Sequence, residues 1–512
     1  MMVKSSKQIG KPLAELLEGI VSLGDHEQRS ILGLALDSRL VEPGDCFFAT
    51  AGTKLHGLSF IDAVVQRGAV AVLYDGGSEF EAAYIQRLRQ KTSIPMIYVA
   101  DLKKRVGEIA SRFWNHPSNK LNIIGITGTN GKTSVSHFIA QAFAQLDCSA
   151  AVLGTLGNGV LGQLQSTSNT TPDAVSLQQF FAQMVASEVS WVAMEVSSHS
   201  LDQYRVEGTH FTCALWTNLT QDHLDYHGDL ASYGRAKARL FLEHRPDVAI
   251  LNVDDAYARN LLVQVTAPLL LYGVGVAAEE TAKIYNAHYV QASHWQTNLD
   301  GILLELHSSW GDAQVQSHLL GSFNVHNLLA VLAVLLQAGI TLAAAVQAVE
   351  KIKPVAGRME IVRAINKPTA LVDYAQTPDA LRQVLESVRS HVSGKIWCVF
   401  GCGGDRDRGK RPLMGKIAQL LADHVVLTND NPRTESADAI LQEILAGMDR
   451  TEQVRIEPDR KQAILTTLAQ AAPEDWIVVA GKGHEEVQII GTVAHPFSDR
   501  QLLADWMEGR IQ

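Results

Sequence analysis

The chain has 512 residues, 46% of them apolar and 19% charged, with a formal net charge of −10. At roughly 150 residues per domain, this length predicts about three domains, with apolar residues enough for several ordinary cores. The negative balance argues against a nucleic-acid partner, because phosphate backbones are held by basic surfaces, but an anionic small substrate stays open where local Arg, Lys and helix N-termini gather.

The N-terminal stretch MMVKSSKQIGKPLAELLEG has no long apolar run and no cleavage signature, so no signal peptide is expected. The cysteines are Cys46, Cys148, Cys213, Cys398 and Cys402, an odd and sparse set. That set predicts neither a disulfide framework nor a zinc site, and it points to the reducing cytoplasm.

Residues 1–118 carry strand-like segments at ILGLALDSR, GDCFFAT, AVAVLYD and MIYVAD, and Pro117-Ser118-Asn119 reads as a linker. Residues 119–353 open on the strand Leu121–Ile126. Further strands are predicted at WVAMEVS, FTCALWTNL and VAILNV, with helical patterns between them, which is the alternation of a parallel α/β sheet. The uncharged run Leu328–Val349 is long enough to span a bilayer. Gly339 followed by Ile340-Thr341 reads instead as a helix C-cap and a new N-cap, and Gln337 and Gln347 interrupt the run, so two buried helices and no membrane insertion are predicted. Pro354 marks the next break. Residues 354–512 have strands at TALVDYA, KIWCVFG, HVVLTND and DWIVVAG, and the whole chain reads as α/β.

Residues 125–133 read GITGTNGKT, between a predicted strand and a helix whose apolar face carries Val135, Phe138, Ile139, Ala142 and Phe143. This is the setting of a phosphate loop. Gly128 and Gly131 let backbone N–H groups approach phosphate oxygens, Lys132 reaches the β/γ phosphates, and the Thr133 hydroxyl suits Mg²⁺. The strict pattern is broken by Ile126, where it wants Gly. The loop alone says only that a nucleoside triphosphate is bound.

In the helix SYGRAKARLFLEH, Lys237 shares the face of Tyr233, Leu240 and Phe241, at i−4, i+3 and i+4, while Arg235 and Arg239 point away. A lysine buried on that stripe tends to lose its charge, and a neutral amine can react with CO₂. The alternative is a lysine that snorkels to water.

TGTNGKT is the phosphate-loop form of the Mur ligases and their folylpolyglutamate synthetase relatives. It is followed in order by NTTPDA (169–174), MEVSSHSLDQYRV (194–206), NLTQDHLDYHGDLASYGRAKARLF (218–241), GSFNVHN (321–327), GRME (357–360), DYAQTPDAL (373–381), GCGGDRDRGKRPLM (401–414), DNPRTE (430–435) and GKGHE (481–485). The set resembles the Mur ligase family, and within it the members that add the third residue of the peptidoglycan stem peptide.

The resemblance implies an ATP-dependent, amide-bond-forming ligase in three domains. These are a smaller N-terminal α/β domain for the UDP-sugar (1–118), a central P-loop-type, mostly parallel sheet for ATP (119–353) and a C-terminal Rossmann-like domain for the amino acid (354–512). ATP phosphorylates the terminal carboxylate of UDP-MurNAc-L-Ala-D-Glu, and the incoming amine displaces phosphate. The enzyme is expected to be a cytoplasmic monomer with no nucleic-acid partner.

The site residues implied follow by position. Glu195, His223 and Thr133 would bind Mg²⁺, as would Lys237 in its carbamylated form. The simpler readings are a solvated strand-end carboxylate for Glu195 and a structural imidazole for His223. Lys132, His223 and Lys237 would be catalytic. ATP would be held by Gly128, Thr129, Asn130, Gly131, Lys132 and Thr133, with Asn324, Arg358 and Asp373. The family usually has His in DYAHTPDAL, where this chain has Gln376, which can donate a hydrogen bond but carries no charge.

Leu36, Ser38, Thr53, Lys54 and Leu55 match the uracil side of the UDP-sugar site, and Asn169, Thr170, Thr171, Ser197, Gln203 and Arg205 match the muramoyl-peptide side. Arg406, Asp430, Asn431, Pro432, Arg433, Gly481 and Glu485 match the amino-acid pocket. In members that add meso-2,6-diaminopimelate, the arginine matching Arg433 forks onto the far carboxylate, the group that lysine lacks. The alternative is that Arg433 pairs with nearby Glu435. Rival readings are a lysine-adding Mur ligase, a P-loop NTPase that hydrolyses ATP for motion or signalling, a folylpolyglutamate synthetase and an inactive nucleotide-binding scaffold.

Overall fold

A computed structural model describes residues 10–52, 55–76, 82–167, 169–450 and 454–511. Thr53 and Lys54 lie outside them. Among the described residues the main sheets have four, ten and six strands, in chain order.

The four-stranded sheet is parallel and runs Gly33–Ala35, Asp45–Ala49, Ala71–Tyr74 and Met96–Tyr98. Pro117–Lys120, between the four-stranded sheet and the next strand, is a 3-10 turn with Pro117 and Ser118 buried.

In the ten-stranded sheet Asn122–Thr127 lies between Trp191–Glu195 and Cys213–Trp216, parallel to both. Val248–Asn252, Leu269–Val274 and His288–Asn298 continue it in parallel. Gly301–Ser308 and Gly311–Ser317 then add an antiparallel flap. This flap is absent from the predicted strands. Its signals are the Asp300-Gly301 turn and the alternating burial of Gly301–Ser308. The uncharged run forms two helices, Phe323–Gln337 and Leu342–Glu350. Gly339 takes φ +82° and the Thr341 hydroxyl accepts from Ala344 N, as the cap reading requires. No described helix is long and apolar enough to cross a membrane. The first helix is charge-free because almost all of it is buried in the central core.

In the six-stranded sheet Thr369–Asp373, Trp476–Ala480, Ile396–Phe400, His424–Leu427 and Val454–Ile456 run parallel in that spatial order. The carboxyl ends of parallel strands are where such sheets bind ligands. In the central sheet those ends carry residues 128–133, Glu195 and Thr217; in the C-terminal sheet they carry Asp373, Gly401, residues 428–433 and Gly481.

Candidate active site

The loop after Asn122–Thr127 folds tightly because Gly128 takes φ +146°; a Cβ there would stand 1.9 Å from the Thr217 hydroxyl. Thr129 N donates to Asn218 O at 2.8 Å, Asn130 N donates to Asn218 Oδ1 at 3.0 Å, and the Thr217 hydroxyl donates to Asn130 O at 2.7 Å. Lys132 folds back, its Nζ donating to the carbonyls of Gly128 (2.9 Å) and Thr129 (2.8 Å).

Lys237, on the helix Leu230–Leu242, reaches the same Gly128 carbonyl at 2.7 Å, so two lysines converge on one oxygen. Lys237 is 1% exposed, with Nζ 4.5 Å from the Tyr233 ring centre, and it does not snorkel. Burial pushes its pKa well below the usual lysine value. Lys132 adds to that push and Asp222 opposes it. Burial also lowers the pKa of Lys132, against the pull of Glu195 and Asp222.

Glu195 ends its strand 1% exposed, not solvated. Its Oε1 accepts from Thr155 N at 2.8 Å, and its Oε2 accepts from the hydroxyls of Thr133 (2.9 Å) and Thr155 (3.2 Å). His223 takes left-handed backbone, with Nε2 3.3 Å from Asp222. Burial drives its pKa down and Asp222 works against that. A buried carboxylate beside a hydroxyl at a phosphate loop is a hard oxygen donor set suited to Mg²⁺, which commonly leans on substrate phosphates and water for its remaining positions. Among the described residues no three His, Cys, Asp or Glu side chains gather as a metal cage.

A cavity of about 500 Å³ opens here between the central and C-terminal sheets, walled by the loop, Glu195, His223, Lys237, Arg358 and Asp373. Arg358 crosses from the C-terminal part, its Nη2 donating to the Thr133 hydroxyl at 3.2 Å and its guanidinium 4.4 Å from the Tyr374 ring centre. Asp373 accepts from Met359 N at 2.8 Å, and burial raises its pKa to about 6 against the pull of Arg358. Asn324 is buried outside the wall, its Nδ2 donating to Leu320 O at 2.6 Å, while Asn327, one turn on, lines the cavity.

Thr171, Gln203 and Arg205 gather next to Glu195. The Thr171 hydroxyl donates to Glu195 O at 2.7 Å and accepts from Ser197 N at 3.2 Å. Arg205 donates to Thr171 O at 2.8 Å and to Gln203 Oε1 at 2.6 Å. Thr170 and Ser197 line the cavity, and Asn169 precedes Thr170 in its loop. Leu36 packs onto a core that includes Ala174 and Val175, Ser38 lies in the turn after Gly33–Ala35, and Leu55 is exposed.

A second, smaller pocket lies at the carboxyl ends of the C-terminal strands, walled in part by Arg406, Lys410, Asp430 and Arg433; Gln376 and Arg406 line both pockets. Gln376 donates to Gly481 O at 3.0 Å. Arg433 sits at φ +50°, its Nη1 donating to Gly404 O at 2.8 Å. It does not pair with Glu435, whose two oxygens are taken by Arg411 at 2.8 and 2.9 Å. Asp430 is 3% exposed, and its Oδ2 has no hydrogen-bond partner. Burial raises its pKa, while Arg460 and Lys482 oppose the rise. Gly481, at φ +111°, stands so close that a Cβ would lie 2.5 Å from that oxygen. Glu485 Oε2 accepts from Lys482 Nζ and Asn431 Nδ2, both at 2.8 Å. Lys410 reaches Asp222 at 3.4 Å and so joins the two pockets across 188 residues of chain. Only its membership of GCGGDRDRGKRPLM could have singled it out.

Residues 30–114 match the Mur ligase family, catalytic domain, residues 126–335 the Mur ligase middle domain, and residues 357–483 the Mur ligase, glutamate ligase domain. A protein of Alkalilimnicola ehrlichii named UDP-N-acetylmuramoyl-L-alanyl-D-glutamate–2,6-diaminopimelate ligase is 44% identical over 490 residues, 96% of this chain and 97% of its own. A protein of Xylella fastidiosa with the same name is 44% identical over 494 residues, 96% of each chain. A solved structure of that name is 36% identical, with a TM-score of 0.68 over 98% of this chain and 99% of its own. With near full-length identity and the domain matches in order, the chain belongs to the Mur ligase family.

Proposed function

We propose that this chain is a cytoplasmic ligase that uses ATP to join meso-2,6-diaminopimelate to the D-glutamyl carboxyl of UDP-MurNAc-L-Ala-D-Glu, in peptidoglycan precursor synthesis. The observation that carries the reading is the junction of two pockets at Gln376 and Arg406, one built on a phosphate loop and the other smaller and lined by the cations Arg406, Lys410 and Arg433. The names of the full-length relatives support the same substrates.

The chemistry needs both pockets. A carboxylate is a poor acyl donor, so the γ-phosphoryl group of ATP is first transferred to it, giving an acyl phosphate and ADP. The amine of the amino acid then attacks the acyl carbon, the C–O bond to phosphate breaks, and the amide forms. Lys132 and Arg358 hold the transferring phosphoryl group; the Thr171–Arg205 group holds the carboxylate end of the muramoyl peptide. Thr133, Glu195, His223 and a carbamylated Lys237 would hold Mg²⁺, which when bound would supply charge neutralisation where two anions meet. Arg433, with Glu435 already taken by Arg411, is left to face the far carboxylate of the amino acid. That residue favours diaminopimelate over lysine. A motor or signalling NTPase would have no use for the second pocket.

The direct test is a mass measurement after incubation with UDP-MurNAc-L-Ala-D-Glu, ATP, Mg²⁺ and diaminopimelate. The tripeptide product is expected. Its absence, with ATP consumed, would refute the reading.

A further inference from the structure

Behind the amino-acid pocket lies a residue to which no role in the reaction has been given. Lys482 is fully buried, and its ammonium donates to three acceptors: Asn431 Oδ1 at 3.1 Å, Glu485 Oε2 at 2.8 Å and Val487 O at 2.7 Å. An ammonium has three protons, so none is left for a ligand. Asn431 and Glu485 are among the residues that match the family's amino-acid site, Asn431 lying between the pocket-lining Asp430 and Arg433 in sequence, and the third partner begins the strand Val487–Ile490.

That strand braces the turn Asp430–Arg433 from outside. Ile489 N donates to Asn431 Oδ1 at 2.9 Å, and the Gln488 amide donates to Asp430 O at 2.8 Å. Arg433 N donates to Ile489 O at 3.1 Å, and Gly491 N donates to Arg433 O at 2.8 Å. Both backbone groups of Arg433 are thus used to hold it in left-handed conformation, which a bulky L-residue adopts only when its surroundings impose it.

Resting on the function proposed above, we infer that Lys482 is a positioning residue for amino-acid selection. It ties Asn431, Glu485 and the bracing strand into one unit, and it offsets the charge of Glu485. The cationic surplus at Arg406 and Arg433 then remains to select a second carboxylate. Lys482 does not touch the amino acid. Without its ammonium, Glu485 becomes an uncompensated carboxylate that draws cations instead.

The test compares Lys482→Met and Gln488→Ala with the parent protein. Folding is checked by circular dichroism, and KM is measured separately for diaminopimelate, ATP and the muramoyl dipeptide. In Lys482→Met the KM for diaminopimelate should rise about tenfold or more, as expected for a buried charge left unpaired. The other two KM values should stay within about twofold, and the preference for diaminopimelate over lysine should shrink, since a lost opposing charge relaxes discrimination. If that variant fails to fold, Gln488→Ala decides, with a rise of about threefold for diaminopimelate alone, the loss of one hydrogen bond. Folded variants with an unchanged KM for diaminopimelate, or with all three KM values rising together, would overturn the assignment alone. A parent protein that ligates no diaminopimelate would overturn the proposed function and this assignment with it.

Discussion

Arg411 grips Glu435 through both terminal nitrogens, at 2.8 and 2.9 Å, and so removes the carboxylate that would otherwise neutralise Arg433 two residues away. Arg433 keeps its positive charge for the pocket. The Arg433→Ala variant should therefore lose diaminopimelate use by about 30-fold or more in kcat/KM, the scale of removing one partner of a desolvated charge pair at about 2 kcal/mol. Steady-state kinetics with diaminopimelate and lysine side by side check this. Unchanged kcat/KM for diaminopimelate would refute the role.

Lys237 is buried against Tyr233 with its basicity strongly reduced by burial. The neutral amine is the form that adds CO₂, so Lys237→Ala should lower kcat by about 100-fold or more if a metal-holding carboxylate is lost. Acetate or formate should return part of the rate by standing in for the missing carbamate. Absence of any rescue across a concentration series would count against the modification.

Asp373 is an acid whose folded-state pKa is raised by burial from 3.8 to about 6. The sign follows. Above pH 6 the folded protein holds an unwelcome charge that the unfolded chain carries freely. Stability lost there returns as pH falls through 6 towards 3.8. A shift of this size amounts to about 3 kcal/mol. Asp373→Asn, which keeps an acceptor for Met359 N, should resist urea better than the parent at pH 8 and equally at pH 4, while binding ATP more weakly. Equal urea midpoints at pH 8 would contradict the burial argument.

The buried Glu195–Thr133 pair beside the phosphate loop predicts that nucleotide and divalent ion bind together. ATP with Mg²⁺ should raise the melting temperature by on the order of 2–4 °C at saturating concentrations. ATP with EDTA should raise it markedly less, and Lys132→Ala should abolish the shift. An equal shift with EDTA would deny the ion a place in the site.

Much of this was legible before the fold. The strand–GTNGKT–helix setting, the strand-end position of Glu195 and the apolar stripe around Lys237 are local patterns, and local periodicity fixes them. The caps at Gly339 and Thr341 likewise separate a buried helix pair from a membrane span. What stayed hidden depends on distant pieces of chain meeting. Lys410 meets Asp222, and Arg411 competes for Glu435. The alternative pairing of Arg433 with Glu435 looked reasonable from spacing, and only three-dimensional competition removes it. The antiparallel flap at residues 301–317 is legible only in part, because Asp300-Gly301 and a polar alternation mark a local hairpin while the strands before it pair in parallel.

The most direct measurement is phosphate release by purified protein in Mg²⁺-ATP, with muramoyl dipeptide and amine added singly, together or not at all. Fast release should need UDP-MurNAc-L-Ala-D-Glu and diaminopimelate at once, with lysine a poor substitute. Release at the same rate without dipeptide and without amine would contradict the coupling of the two pockets.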